Sequence, residues 1–126
     1  MSDPALSSFG MDWPNPALFG RGSVVQLGGR LQGIGATRVL LVSDAGLEKA
    51  GLVDRVAGLL RDASLAVETY TGVSPNPREA EVEAIHTLWA AAGCDAIVAL
   101  GGGSTIDAVK GACLRRFTDR SLDSLL

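Results

Sequence analysis

Two stretches of this chain, Val39-Leu40-Leu41-Val42 and Ala96-Ile97-Val98-Ala99-Leu100, are uninterrupted apolar runs with no polar alternation. A strand with one wet face alternates apolar and polar residues, so unbroken runs of this length belong to strands covered on both faces. In a parallel sheet that cover is made by helices. The sequence around the runs supplies them. Residues 52–63 carry Leu52, Val56, Leu59 and Leu60 at three- and four-residue spacing, the pattern of an amphipathic helix, and residues 66–70 read as a further strand. Asn76-Pro77-Arg78-Glu79 reads as a helix start, with Asn76 capping and proline in the first position, feeding a stripe of Val82, Ile85, Leu88, Trp89 and Ala92 that Gly93 ends. Toward the beginning, residues 17–19 read as a short strand that turns through Gly20-Arg21-Gly22 into a helix capped by Ser23 and running to about Leu31. Alternating strands and helices of this kind predict an α/β fold: a Rossmann-like parallel sheet flanked by helices and joined by right-handed crossovers, in a single domain.

A length of 126 residues suits one such domain, and 47% hydrophobic with 20% charged residues is the composition of a chain that folds. The domain is expected over residues 17–114. Before it, residues 1–16, with Pro4, Pro14 and Pro16, read as an irregular leader, and residues 115–126 as a tail that extends the last helix. Fourteen acids and eleven bases give a net charge of −3 without a basic stripe, which argues against nucleic acid as a partner. The apolar runs are far too short to span a bilayer, and the start shows no positive cluster followed by an apolar core, so no membrane association and a cytoplasmic location are expected. Cys94 and Cys113 lack metal-type or redox-type spacing and read as reduced, buried thiols. His86 is the only histidine and flanks the apolar stripe of its helix, so no metal site is expected.

In an open parallel sheet, ligands bind beyond the carboxyl ends of the strands. The strand ending at Leu100 opens there into Gly101-Gly102-Gly103-Ser104 and then a helix. Glycines let the backbone turn sharply and come close to a ligand, and the free N–H groups at the helix start attract an anion. A pyrophosphate suits Gly102, Gly103 and Ser104. The competing reading is structural: the glycines only make a tight turn, and Ser104 with Asp107 approximates a capping box. The helix is expected to bury Ile106, Val109, Cys113 and Phe117, which turns Ser104, Asp107 and Gly111 toward a different face, one able to meet a ligand. Gly20-Arg21-Gly22 imitates a dinucleotide fingerprint upstream of Asp44, but Val25 stands where the third glycine must be.

Four segments in order carry a family resemblance: Phe19-Gly20-Arg21-Gly22-Ser23, Leu40-Leu41-Val42-Ser43-Asp44, Val73-Ser74-Pro75-Asn76-Pro77, and the stretch from Asp95 through Gly101-Gly102-Gly103-Ser104-Thr105-Ile106-Asp107 to Lys110. From about Pro14 to Cys113 the chain resembles the iron-containing alcohol dehydrogenase family, specifically its amino-terminal nucleotide-binding half. The resemblance implies NAD as cofactor. Gly101, Gly102, Gly103, Ser104 and Thr105 would cradle its pyrophosphate; Asp44 would bond the adenosine ribose hydroxyls and repel a 2′-phosphate, favouring NAD over NADP. Asn76 would stand at the cofactor's edge and Asp107 toward the nicotinamide. Each has a structural alternative: Asp44 capping a helix over residues 45–50, Asn76 capping its own helix, Asp107 pairing with Ser104. Lys110 reads as solvated or ion-paired.

The family holds iron, or another divalent metal, with one Asp and three His from an all-helical carboxyl-terminal domain, whereas this sequence has a single histidine. No catalytic or metal-binding residue is therefore assigned, and the chain alone is expected to be inactive, because the metal stabilises the alkoxide from which hydride leaves. In a complete enzyme the substrate would be a small alcohol or aldehyde. An apolar face left by the missing domain leaves room for a homo-oligomer or a complementary helical chain. The other readings are a stand-alone nucleotide-binding or regulatory module, a structural α/β protein that binds nothing, and a sugar-phosphate cyclase of the dehydroquinate synthase group, against which the continuation Ser104-Thr105-Ile106-Asp107-Ala108-Val109-Lys110 argues.

Overall fold

The structure, a computed structural model, describes residues 18–117. The expected leader over residues 1–16 and the tail beyond residue 117 lie outside the described residues. At the centre is β1 (Arg38–Val42), hydrogen-bonded in parallel to β2 (Ala66–Tyr70) on one side and β3 (Ala96–Ala99) on the other, giving the order β2-β1-β3. The register sets Leu40 opposite Glu68 and Ile97.

The apolar run of β1 is used on both faces. Val39, Leu40, Leu41 and Val42 are each 0% exposed. Leu40 and Val42 pack with Val82, Ile85 and Trp89 of α4 (Glu79–Ala92) and Ala108, Val109 and Ala112 of α5 (Gly103–Phe117). Val39 and Leu41 pack with Leu31 of α1 (Leu27–Gly33) and Val53, Val56, Ala57 and Leu60 of α3 (Leu52–Asp62). A short helix, α2 (Ala45–Lys49), follows β1 directly. Full burial of each such aliphatic side chain contributes roughly 1.5–3 kcal/mol, so this one strand ties the helix–sheet–helix layers together. No helix among the described residues is long and apolar enough to cross a membrane.

Polar contacts close the end of the sheet where β1 and β3 begin. The Asp95 carboxylate accepts from the Thr37 hydroxyl at 2.7 Å and from the Thr37 and Arg38 backbone N–H groups at 3.0 Å. Those bonds, the Thr37 hydroxyl first, hold its carboxyl below the usual aspartate range. The Trp89 indole donates to the Cys94 carbonyl at 2.9 Å where Gly93, in a left-handed conformation, ends α4. Cys94 is buried, Cys113 half-buried, and both are free thiols that burial pushes up in pKa.

Several expected details fall differently. Residues 18–19 form no strand; Leu18 and Phe19 are 47% and 91% exposed, with no neighbouring strand to pair with. Ser23 caps nothing: a 3-10 turn over Ser23–Gln26 follows the left-handed Gly22, and α1 begins only at Leu27. Asn76 is not the cap of α4. Arg78 is, because the Glu81 carboxylate reaches back to the Arg78 N–H at 2.9 Å and so selects a later start. On α5 the buried stripe runs through Thr105, Ala108, Val109 and Ala112, leaving Ile106 41% exposed. Those small residues let α5 lie close to α4, and Gly111, expected on a ligand-facing side, sits against Val82 instead: a Cβ there would stand 3.1 Å from its Cγ1.

Gly28 marks a second close approach, since a Cβ on it would lie 2.5 Å from the Ala63 Cβ, whereas one on Gly29 would meet nothing within 4 Å. Glycine to alanine inside a helix ordinarily stabilises by about 0.5–1 kcal/mol. Urea unfolding is expected to show that gain for Gly29→Ala and a loss of about 1–3 kcal/mol for Gly28→Ala, where α1 must move off α3.

Candidate functional site

Because β2 and β3 flank β1 on opposite sides, the chain's winding reverses at the carboxyl ends of β1 and β3, and crevices at such reversals are where open α/β sheets bind ligands. A cleft of about 370 Å³ lies there. Its walls are Asp44, Ala45 and Gly46 after β1, Val73, Ser74 and Pro75 from the loop between β2 and α4, and Gly102, Gly103, Ser104 and Thr105 at the head of α5.

The three glycines have different reasons to be glycine. Gly101 has φ +151°, and a Cβ on it would lie 2.8 Å from Thr105 Oγ1, a buried hydroxyl beneath the turn. Its requirement is conformational. Gly102 and Gly103 have no left-handed φ, and a Cβ on either would meet nothing within 4 Å. Packing does not demand glycine there; what their small size preserves is open space above the backbone, into which a ligand can come close. The first intrahelical amide of α5 is that of Ile106, bonded to the Gly102 carbonyl at 3.1 Å, so the amides before it have no helical acceptor. No acidic residue stands in the first turn of this 15-residue helix to compete for the positive end of its dipole. An exposed anion there gains about 0.3–1 kcal/mol from the dipole alone.

Opposite the turn, Asp44 caps α2: its Oδ1 accepts from the Leu47 N–H at 2.9 Å, while Oδ2 faces Gly101, 3.6 Å from where a Cβ on that glycine would stand. Capping therefore occupies one oxygen and leaves the other toward the cleft. Ser43, wholly buried, donates from Oγ to the Leu100 carbonyl at 2.7 Å and ties the ends of β1 and β3 together. Ser104 donates its hydroxyl to the Pro75 carbonyl at 2.7 Å, so its side chain holds the facing loop and its backbone N–H is the group left for a ligand. In that loop the Glu81 carboxylate accepts from the Ser74 N–H and hydroxyl, both at 2.7 Å, besides Arg78. The Arg78 N–H first, and then Ser74, keep the Glu81 carboxyl below the ordinary glutamate range. Burial, and secondarily the Glu81 charge, raise the Tyr70 hydroxyl.

Of the residues singled out from sequence, Asp44, Gly102, Gly103, Ser104 and Thr105 meet at the cleft, with Gly101 forming the turn beneath them. Asn76 and Asp107 are exposed and stand outside its lining; the Asn76 carbonyl accepts from Ser74 Oγ at 3.1 Å. Sequence reasoning missed Ser43, Ser74, Pro75 and Glu81, three of which lay inside quoted motifs without an assigned role. Among the described residues no three His, Cys, Asp or Glu side chains come together as metal donors, and His86 is half-buried on α4.

Comparison with known proteins shows the family of the chain. The family model for iron-containing alcohol dehydrogenase matches residues 14–122. The NAD-dependent methanol dehydrogenase of Bacillus methanolicus is 38% identical over 97 residues, covering 77% of this chain and 26% of that protein. The 1,3-propanediol dehydrogenase of Klebsiella pneumoniae is 39% identical over 100 residues, covering 78% and 26%. Among solved structures, sulfoacetaldehyde reductase from Bifidobacterium kashiwanohense in complex with NAD+ superposes with a TM-score of 0.75 at 30% identity, covering 90% of this chain and 30% of that one. The chain thus spans about a quarter of the length of the curated relatives it matches.

The unequal roles of the glycines are open to test. Gly101→Ala is expected to cost about 1–3 kcal/mol of stability, from the positive φ and the Thr105 contact, while Gly102→Ala stays within about 0.5 kcal/mol of the parent. Equal losses in urea unfolding would mean that Gly102 is also held by packing.

Proposed function

The chain belongs to the iron-containing alcohol dehydrogenase family, and from that premise we propose that it is the NAD-binding half of an alcohol or aldehyde oxidoreductase. The observation that carries this reading is the open space over Gly102 and Gly103, at the head of a long helix and across from a carboxylate oxygen that faces the turn.

The backbone N–H groups of Gly102, Gly103, Ser104 and Thr105 hold the pyrophosphate, where the approach of two phosphates is unobstructed by side chains. Asp44 uses Oδ2 for the adenosine ribose hydroxyls while Oδ1 keeps α2 in place, so the same residue caps a helix and selects the cofactor. Its negative charge disfavours a 2′-phosphate and hence NADP. Asn76 and Asp107 act farther along the cofactor, at its edge and toward the nicotinamide, as their match to the family pattern implies. Bound there, NAD would supply the hydride acceptor for oxidation of an alcohol. The described residues do not fit a metal site of the family's Asp-and-three-His type, so no metal-assisted step is assigned to them. Iron or another divalent metal, and a small alcohol or aldehyde substrate, belong to the complete enzyme, and the isolated 126-residue polypeptide binds cofactor without turnover. Two free thiols suit a cytoplasmic setting. A homo-oligomer or a complementary helical chain covers exposed apolar side chains such as Ile106, at 41% exposure.

A stand-alone nucleotide-binding or regulatory module uses the same cleft. Calorimetric titration of the chain tests the shared core of both readings. NAD should bind, NADP more weakly by on the order of tenfold through repulsion by Asp44, and Gly102→Asp should bind neither while remaining folded. Undiminished NAD binding by Gly102→Asp would remove the cofactor from this cleft.

A further inference from the structure

The wall of the cleft opposite α5 is a loop with no secondary structure of its own, residues 71–78, which carries two prolines and few backbone bonds. Its shape must come from elsewhere. Val73 anchors one end in the core at 6% exposure, and its N–H reaches the Ser43 carbonyl at 3.4 Å. Across the cleft mouth, Ser104 holds the Pro75 carbonyl. From behind, the Glu81 carboxylate takes three hydrogen bonds, from the Ser74 N–H, the Ser74 hydroxyl and the Arg78 N–H. Glu81 is half-buried and does not line the cleft. It is thus joined to the cofactor wall by bonds to a residue that does line it.

We infer that Glu81 is a positioning residue for cofactor binding: its carboxylate, from the first turn of α4, fixes Ser74 and Arg78 and so sets the wall that residues 73–75 present to the ligand. The inference rests on the reading of the cleft as the NAD site. A glutamate at this helix position often serves only to complete a capping box. Here two of its three bonds go to Ser74, seven residues upstream and outside the helix, which capping does not require. Both oxygens are used, Oε1 on the Ser74 N–H and Oε2 on the Ser74 hydroxyl and Arg78, so the arrangement needs a carboxylate and not merely an acceptor. The other ionisable groups near it are Tyr70 from β2 and Arg78 at the cap.

The test uses the whole 126-residue chain, titrated with NAD by calorimetry at a temperature where thermal unfolding shows every variant folded. Glu81→Ala is expected to weaken NAD binding on the order of tenfold, the scale set by losing hydrogen bonds to a charged group. Glu81→Gln, which keeps one carbonyl acceptor, should recover part of that loss. Glu79→Gln, which removes an exposed acid from the same helical turn, should bind like the parent. A role confined to capping would lower the melting temperature of Glu81→Ala and leave its NAD affinity parental, and that result would overturn the inference. Should the alanine variant not fold, Glu81→Gln decides: reduced affinity supports the inference, parental affinity overturns it. Absence of NAD binding by the parent chain would overturn the cofactor reading and this inference with it, whereas parental affinity in a folded Glu81 variant overturns this inference alone.

Discussion

Burial of β1 on both faces is the constraint on which the rest of the molecule depends. Four consecutive side chains with no exposure require a helical layer on each side and a strand on each edge, and the sequence provides them in alternation. Once β2 and β3 take opposite edges, the crevice between the ends of β1 and β3 follows from topology, with the glycine turn and Asp44 delivered to it by the two strands that form it. The buried Ser43 hydroxyl, bonded to the Leu100 carbonyl, links the ends of those strands at the base of the site.

The parts of this architecture legible in the sequence were those written in local periodicity or in glycine. The runs at 39–42 and 96–100 predicted β1 and β3, the three- and four-residue spacing of Val56, Leu59 and Leu60 predicted α3, and the turn at Gly101 pointed to the end of the sheet where the cleft lies. What escaped was set by partners distant in sequence. Ser104 reads as a ligand or capping hydroxyl until the fold brings Pro75 to it, 29 residues away. Asn76 has the right chemistry for a cap, yet α4 starts at Glu79 because Glu81 can reach Ser74 and Arg78 at once. On α5 Val109 is buried as its spacing implied, but Ile106 is exposed, and the close contact with α4 is made by Ala108, Ala112 and Gly111, whose value is their smallness and which size alone does not single out. Leu18 and Phe19 are apolar enough to resemble part of a strand but, among the described residues, find no strand beside them.

Within the site, the split between Gly101 and its two successors separates what the fold needs from what a ligand needs. A left-handed turn over a buried threonine explains the first glycine without invoking function; the open space above the next two has no structural account and fits a close-lying phosphate. Asp44 shows the same economy, one oxygen for the helix and one for the cleft. Membership of the iron-containing alcohol dehydrogenase family gives this arrangement its chemical context, and the chain spans about a quarter of the length of the relatives it matches.

The central claim is that a dinucleotide lies in this crevice, and the most direct measurement is to follow the backbone amide resonances of the isotope-labelled chain while NAD is added. The account predicts saturable shifts concentrated at Gly102, Gly103, Ser104 and Thr105, with a second group at Asp44, Ala45 and Gly46, and none along the surface of α1. Shifts centred on the groove formed by Ser23, Gln26 and Arg30, or no saturable shift at the glycine turn, would contradict it.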